Sequence, residues 1–215
     1  MNIIFGAGGV ASELDWLLSE GAAGSTAAAD AFCVPDTDLA SEQTFCGKPI
    51  VRESELATFL DHRDFAAYIA IGTPAIKRKV VSWLERYFSC RFPNVIHPSV
   101  AMDSRKGKIN LGKGVLIYPG ATLTTSVEIG SFVHVNPGST IGHHAKIGCY
   151  STLCPGSNIS GGVSIGRDCF VGAGAIIRDG IHITDACILG AGAVVAANID
   201  QSGTWVGVPA RKMVS

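Results

Sequence analysis

The sequence predicts a small α/β domain followed by a parallel β-helix. The β-helix is indicated by an aliphatic residue at every sixth position from Leu111 to Val195, a period that fits neither an α-helix nor a simple strand. The α/β domain is indicated by short apolar runs that alternate with helical segments earlier in the chain, as in a parallel sheet with helical crossovers. We therefore predict two domains, residues 1–92 and 93–215.

The six-residue repeat defines the β-helix in detail. Each hexapeptide forms a short strand and a turn, and three of them close a triangular coil, so the fifteen repeats give about five coils. From Ile117 onward, the residues two places before each aliphatic position are small or short-branched, with Ile181 the larger exception, and we expect both sets to face the core. The aliphatic positions are Leu111, Ile117, Leu123, Ile129, Val135, Ile141, Ile147, Leu153, Ile159, Ile165, Val171, Ile177, Ile183, Leu189 and Val195.

The first domain has the elements of a Rossmann-like half with a small parallel sheet. We predict strands at 2–5, 31–34 and 66–71, and helices from about 12, over 54–60 with Ser54 as the cap, and over 75–87. The segment from Cys90 to Val95 leads out of this domain. His97 and Pro98 then begin a first, irregular coil.

Composition excludes several classes of protein. The net charge of −1 argues against a large nucleic-acid-binding surface. An uninterrupted apolar stretch of about 20 residues and a basic-then-apolar leader are both missing from the sequence, so we expect a cytoplasmic protein without membrane insertion. The seven cysteines contain no C-x-x-C pair, which favours free structural thiols over a metal site.

A glycine-rich loop between the first strand and helix predicts a phosphate site. Gly6-x-Gly8-x-x-Ala11 matches the dinucleotide fingerprint, in which glycines let the backbone approach a phosphate at a helix N-terminus. We predict substrate contacts at Gly8, Gly9 and Val10, and at Asp36, whose carboxylate suits a ribose or sugar hydroxyl. The domain is too small for a full NAD fold, so a nucleotide-linked substrate is favoured. A tight turn without a ligand remains the alternative.

One of the six histidines is a candidate general base. Ile141 faces inward, so His143 falls at a corner between two faces and projects outward. An imidazole with an unperturbed pKa of about 6.5 suits proton abstraction near neutral pH. His134 also points away from the core, whereas His97 suits a structural junction. A solvated surface histidine is the alternative for His143.

The stretch 138–148 resembles the active-site coil of hexapeptide acyltransferases. The glycine loop, the turn at Ile71-Gly72 before a basic helix, Ile96-His97-Pro98 and the ending 205–212 extend this resemblance to the PglD/NeuD-like sugar acetyltransferases. The resemblance implies a left-handed β-helix, a homotrimer, and acetyl-CoA as co-substrate without a metal. It also implies direct acetyl transfer to a nucleotide-linked amino sugar, with His143 as general base.

The resemblance further implies which residues form the site. His144 stands where these enzymes usually have an acidic partner of the base, and Thr152 where a histidine lies near acetyl-CoA. The resemblance also adds Gly72 to the expected substrate-binding residues. The main chain near Gly161, Ala173 and Ala191 would contact pantetheine, and Arg211 and Lys212 either face CoA phosphates or remain solvated.

Other functions are compatible with parts of the sequence. An O-acetyltransferase of the sialic-acid type would use the same histidine, and a catalytically silent nucleotide-sugar-binding protein would keep the fold. A γ-type carbonic anhydrase is disfavoured because His134, His143 and His144 lack its ligand spacing. We favour N-acetylation in surface glycan or lipopolysaccharide biosynthesis, because the first domain suits an activated amino sugar.

Overall fold

The computed structural model describes residues 1–21, 28–38 and 42–213. Its N-terminal domain contains a six-stranded sheet in the order β3-β4-β2-β1-β5-β6. All described pairs in this sheet are parallel except the edge hairpin β3-β4. The strands are β1 (Asn2–Phe5), β2 (Ala31–Val34), β3 (Thr44–Phe45), β4 (Lys48–Arg52), β5 (Phe65–Ile69) and β6 (Cys90–Arg91).

The helices flank this sheet. They are α1 (Gly9–Ser19), α2 (Leu56–Leu60) and α3 (Pro74–Tyr87), with a 3₁₀ turn at Glu53–Glu55 before α2. The predicted cap at Ser54 is wrong, because Ser54 lies inside the 3₁₀ turn and its hydroxyl donates to Asp36. The predicted first helix begins three residues earlier than expected, at Gly9, with Gly8 as its N-cap. Among the described residues, no helix is both long and apolar enough to cross a bilayer.

The C-terminal domain is a parallel β-helix, as predicted. Its strands are mostly two or three residues long, and from β9 to β20 each pairs with the strand eighteen residues further on, for example Ile117 with Val135 and Val135 with Leu153. The strands are β7 (Val95–Ile96), β8 (Ala101–Met102), β9 (Ile109–Leu111), β10 (Leu116–Ile117), β11 (Thr122–Leu123), β12 (Val127–Ile129), β13 (His134–Val135), β14 (Thr140–Ile141), β15 (Lys146–Ile147), β16 (Thr152–Leu153), β17 (Asn158–Ile159), β18 (Ser164–Ile165), β19 (Phe170–Val171), β20 (Ile176–Ile177), β21 (His182–Ile183), β22 (Cys187–Leu189), β23 (Val194–Val195), β24 (Gly203–Val206) and β25 (Arg211–Lys212).

Three sheets form the sides of the β-helix. The docked face contains β7, β10, β13, β16, β19, β22, β24 and β25; the second face contains β8, β11, β14, β17, β20 and β23; the third face contains β9, β12, β15, β18 and β21. The aliphatic positions from Ile117 to Val195 are buried, and so are the residues two places before them. Cys169 and Cys187 pack in this core as small apolar side chains, as predicted.

The N-terminal domain covers the first coils of the docked face. Leu116 and Tyr118 belong to the same apolar cluster as Ile4 and Leu14, and Phe132 packs with the opposite side of the sheet. An ion pair of 2.6 Å joins Arg78 of α3 to Asp168 of the β-helix. The predicted boundary at residues 92/93 falls between β6 and β7, but the two domains share buried apolar surface there.

Candidate active site

His143 lies at the corner between the second and third faces, in the turn that joins β14 to β15. His143 and His144 are both exposed, as the phase of the repeat predicted for His143. His144 adopts φ of 60°, a left-handed conformation that turns the chain sharply. The corner therefore presents two imidazoles side by side on an otherwise regular coil.

The two imidazoles are close enough to share a proton. The Nδ1 atoms of His143 and His144 are 3.1 Å apart, and the ring planes are 81° apart. A hydrogen bond between two imidazole nitrogens requires that one of them carries the proton. When His143 donates from Nδ1, its Nε2 keeps a lone pair and has the form that a general base needs.

Gly161 lies directly beneath the His143 ring in the next coil. A Cβ atom at this position would lie 2.5 Å from Cε1 and 2.6 Å from Nε2 of His143, closer than real Cβ contacts. The His143 carbonyl accepts a hydrogen bond of 2.7 Å from the Gly162 amide, so the main chain of the two coils is also joined. Gly161 was predicted as a pantetheine contact, and it has the additional role of leaving room for the imidazole.

The second face connects the predicted acetyl-CoA contacts. Gly161 lies at one edge of this face, whereas Ala173 and Ala191 are exposed at the opposite edge, one coil apart. Between these edges Ile176 pairs in register with Asn158 and with Val194, and its side chain is 43% exposed. The strands of this face are only two residues long, and the end near Ala173 and Ala191 carries small or apolar side chains.

The substrate residues predicted in the N-terminal domain lie at one edge of its sheet. Because β1, β2 and β5 are parallel, the loops that follow them bring Gly8, Asp36 and Gly72 to the same edge. Gly8 and Gly9 are exposed, and open space surrounds the position of a Cβ at each. Val10 is half-buried against the apolar cluster that joins the two domains.

Asp36 also has a structural role that the sequence analysis did not predict. Its Oδ1 accepts hydrogen bonds from the amide of Ser54 at 3.1 Å and from its hydroxyl at 2.8 Å. The carboxylate thereby holds the 3₁₀ turn against the end of β2. Asp36 as a whole is exposed.

Thr152 does not lie on the second face. It is 2% exposed on the docked face, where its hydroxyl donates to the Gly72 carbonyl at 2.7 Å and accepts from Lys77 Nζ at 3.0 Å. The hydroxyl proton is thus already donated within the chain. The contact of Thr152 with acetyl-CoA, which the resemblance implies, has no support in this geometry.

His134 is also covered by the N-terminal domain. Its side chain points away from the β-helix core, as expected, but it is only 1% exposed. Burial, together with the nearby Lys77, holds the pKa of His134 well below its usual value, while a hydrogen bond to the main chain of Ile69 acts in the opposite direction. This imidazole does not join His143 and His144 in an exposed cluster.

Two family models match the β-helix. The model for the bacterial transferase hexapeptide (six repeats) matches residues 144–179, and that for the hexapeptide repeat of succinyl-transferase matches residues 162–197. A crystal structure of a mutant perosamine N-acetyltransferase from Caulobacter crescentus, with CoA and GDP-perosamine, superposes with a TM-score of 0.87 at 27% identity, covering 100% of this chain and 97% of that one. The β-helix thus carries the hexapeptide repeat of bacterial transferases, and its similarity to structures that contain CoA identifies the enzyme as an acyltransferase.

Two further structures share the whole architecture of this acyltransferase. WeeI from Acinetobacter baumannii AYE has a TM-score of 0.83 and 29% identity, covering 98% of both chains. The acetyltransferase domain of PglB from Neisseria gonorrhoeae FA1090, with acetyl coenzyme A, has a TM-score of 0.83 and 23% identity, covering 99% of this chain and 98% of that one. No curated protein sequence matches the chain.

One buried residue of the acyltransferase escaped the sequence analysis. Lys77 was noted only as part of a basic helix, but it is 0% exposed, beneath α3 and against the docked face. Its spacing from Val81 and Leu84 is that of the apolar side of a helix, and this signal was available in the sequence. Burial holds the pKa of Lys77 well below its usual value, although Asp168 opposes the shift.

Proposed function

We propose that this acyltransferase moves the acetyl group of acetyl-CoA to the amino group of a nucleotide-linked amino sugar. The observation that carries the proposal is the exposed His143, paired through Nδ1 with His144 and lying over Gly161. The perosamine N-acetyltransferase that binds CoA and GDP-perosamine supports it, because it resembles this chain over its full length. O-acetylation of a sialic-acid-type sugar and a silent binding protein remain the alternatives.

The reaction is a direct transfer in a ternary complex. The sugar nitrogen attacks the thioester carbonyl while Nε2 of His143 removes a proton from that nitrogen. A C–N bond forms, the C–S bond breaks, and the departing sulfur leaves as the CoA thiol after taking a proton. Main-chain amides of adjacent coils are suited to stabilise the tetrahedral oxyanion. Orientation of the two substrates supplies a large part of the rate enhancement.

His144 acts in this proposal as the acceptor that orients the base. By accepting a hydrogen bond from the Nδ1–H group of His143, it selects the tautomer with a free Nε2 lone pair. A neutral imidazole stabilises the imidazolium formed in the reaction less strongly than a carboxylate does. The protein is therefore expected to depend on the geometry of the histidine pair more than on its charge.

The two substrates approach from different faces. Acetyl-CoA extends over the second face between Gly161 and the corner of Ala173 and Ala191, where small residues let the pantetheine approach the main chain. Arg211 and Lys212 are exposed at the end of the β-helix and are suited to its phosphates. The nucleotide lies at the sheet edge formed by Gly8, Gly9, Val10, Asp36 and Gly72.

A second copy of the chain is needed to enclose this site. His143 projects from a convex corner whose only wall within the chain is the coil below it, in the part that the structure describes. A neighbouring β-helix would supply the opposite wall, and we propose a homotrimer on this basis. The reaction would serve surface glycan or lipopolysaccharide biosynthesis in the cytoplasm, where acetyl-CoA and nucleotide sugars are available.

The acceptor class is tested by product analysis. The purified protein is incubated with acetyl-CoA and UDP-, dTDP- and GDP-linked amino sugars, together with the matching sugars that carry a hydroxyl in place of the amine. We expect CoA thiol release and an N-acetyl product by mass spectrometry for at least one amino sugar. Acetylation of the hydroxyl analogues alone would favour the O-acetyltransferase, and no transfer to any acceptor would contradict the proposal.

A further inference from the structure

The coil that carries His143 begins and ends beneath the N-terminal domain. His134 and Thr152 are register partners on adjacent strands of the docked face, one full coil apart, and His143 lies midway between them in sequence. Both partners are almost fully buried, with 1% and 2% of their surface exposed. The position of His143 therefore depends on a coil whose two ends are fixed by another domain.

Both ends of this coil contact the same short segment of the N-terminal domain. The His134 imidazole lies against the main chain of Ile69, the last residue of β5. The Thr152 hydroxyl donates to the Gly72 carbonyl at 2.7 Å, in the turn that follows β5. This turn is part of the sheet edge to which the proposed function assigns the nucleotide.

Lys77 completes these contacts from the helix that follows the turn. Its Nζ donates to the Phe132 carbonyl at 3.0 Å and to the Thr152 hydroxyl at 3.0 Å. Because that hydroxyl also donates to Gly72, the ammonium, the hydroxyl and the carbonyl form a continuous chain of hydrogen bonds. Burying a lysine is unfavourable without such partners, and an apolar side chain would satisfy the packing of α3 more simply.

We propose that Thr152 and Lys77 are positioning residues that hold the Gly72 turn of the nucleotide-sugar site in a fixed place relative to the coil of His143. The inference rests on the proposed function, and it explains how the nucleotide-sugar site is held to the β-helix that carries the base. A shift of the Gly72 turn would displace the groups that hold the nucleotide, so the loss should be seen in the KM and the affinity for the nucleotide sugar. The acetyl-CoA surface lies on another face of the β-helix and should not depend on it.

The test uses two substitutions at position 152 in the full-length protein. Thr152→Val keeps the shape but removes the hydroxyl, whereas Thr152→Ser keeps the hydroxyl and is the matched control. We expect Thr152→Val to raise KM for the nucleotide sugar about tenfold, the effect of losing one well-placed hydrogen bond, and Thr152→Ser to stay within about threefold of the wild type. The KM for acetyl-CoA should change less than about twofold in both variants.

A substitution at Lys77 provides a second test of the positioning role. Lys77→Met fills the same volume without a charge, and it should raise the nucleotide-sugar KM by a smaller factor because Thr152 still donates to Gly72. The melting temperature of each variant shows whether it folds. Equal increases in both KM values, or a Thr152→Val variant with the wild-type nucleotide-sugar KM, would overturn the positioning role.

Nucleotide binding separates this inference from the proposed function. The affinities of the wild type and the position-152 variants for UDP, GDP and dTDP are measured by calorimetry without acetyl-CoA. If the wild type binds one of them but transfers no acetyl group, the proposed function fails. The positioning role is then still supported if Thr152→Val binds that nucleotide more weakly and Thr152→Ser does not. Transfer by the wild type with unchanged binding and KM in Thr152→Val overturns the positioning role alone. A wild type that neither binds nor transfers overturns both.

Discussion

One coil of the β-helix carries a buried histidine on the docked face and an exposed histidine at the corner between the second and third faces, here called the free corner. His134 and His143 both point outward from the same β-helix, yet His134 is almost fully buried and His143 is exposed. The difference arises from what covers each side: the N-terminal domain packs over His134, whereas the corner of His143 remains open. The phase of a repeat thus determines which side chains leave the core, but not which of them reach solvent.

Apart from replacement of His143 itself, the largest expected effect concerns Gly161, beside His143 at the free corner. Gly161→Ala should lower kcat about 100-fold, because the new Cβ would lie 2.5 Å from the His143 ring and displace it. Asp179→Ala, at the same corner one coil further on, is the matched control and should stay within about twofold. Steady-state CoA thiol release measures both. A Gly161→Ala protein with the kcat of the wild type would show that the observed ring position is not the reactive one.

The histidine pair gives the next largest effect. His144→Met removes the acceptor for Nδ1 of His143 and should lower kcat about tenfold, whereas His144→Gln keeps an acceptor and should lose less than about threefold. The comparison is made under saturating acetyl-CoA, so that kcat reports the orientation of the base. Equal losses in the two variants would mean that His144 does not act by accepting this hydrogen bond.

Burial of His134 on the docked face should make the stability of the protein, rather than its catalysis, depend on pH. The pKa of folded His134 is lowered well below 6.5, so the unfolded chain takes up a proton that the folded chain does not as the pH falls below about 6.5. This histidine should therefore lower the free energy of unfolding by about 1.4 kcal/mol for each pH unit between 6.5 and its depressed pKa.

Urea unfolding of the wild type and His134→Gln between pH 6.5 and 5 measures this contribution. The slope with pH should be smaller in His134→Gln, and the exposed His182→Gln serves as the control substitution. Parallel slopes for wild type and His134→Gln would mean that His134 is not buried in its neutral form in solution.

The smallest effect is expected on the third face. Lys146 and Glu128 form an ion pair of 3.0 Å, but their side chains are 63% and 55% exposed. Lys146→Met should therefore change the free energy of unfolding by less than about 0.5 kcal/mol. Chemical denaturation measures the change, and a loss above about 1 kcal/mol would show that solvent screening on this open face is weaker than assumed.

The sequence predicted the parts of the fold that depend on local periodicity. The inward positions of the β-helix, from Ile117 to Val195, follow from the six-residue repeat, and β1 and β2 from their apolar runs. The hairpin β3-β4 was missed because β3 has only two residues and β4 contains Pro49.

The parts of the site formed by contacts between domains were not predictable in the same way. The exposed corner of His143 follows from phase, because its surroundings are its own coil and the next one. The burial of Thr152 and His134 depends on where α3 and β5 pack, residues far away in sequence. Lys77 gave a local signal in its helical spacing, but its partners, Phe132 and Thr152, lie in the other domain.

The central claim is that the exposed His143, and not the buried His134, is the base of acetyl transfer. The most direct measurement is kcat for acetyl transfer to the preferred nucleotide amino sugar by His143→Ala, with the KM for acetyl-CoA determined in parallel. We expect a loss of about 100-fold to 10,000-fold in kcat, the range for removal of a general base, with a KM within about threefold of the wild type. Wild-type turnover by His143→Ala would contradict the account.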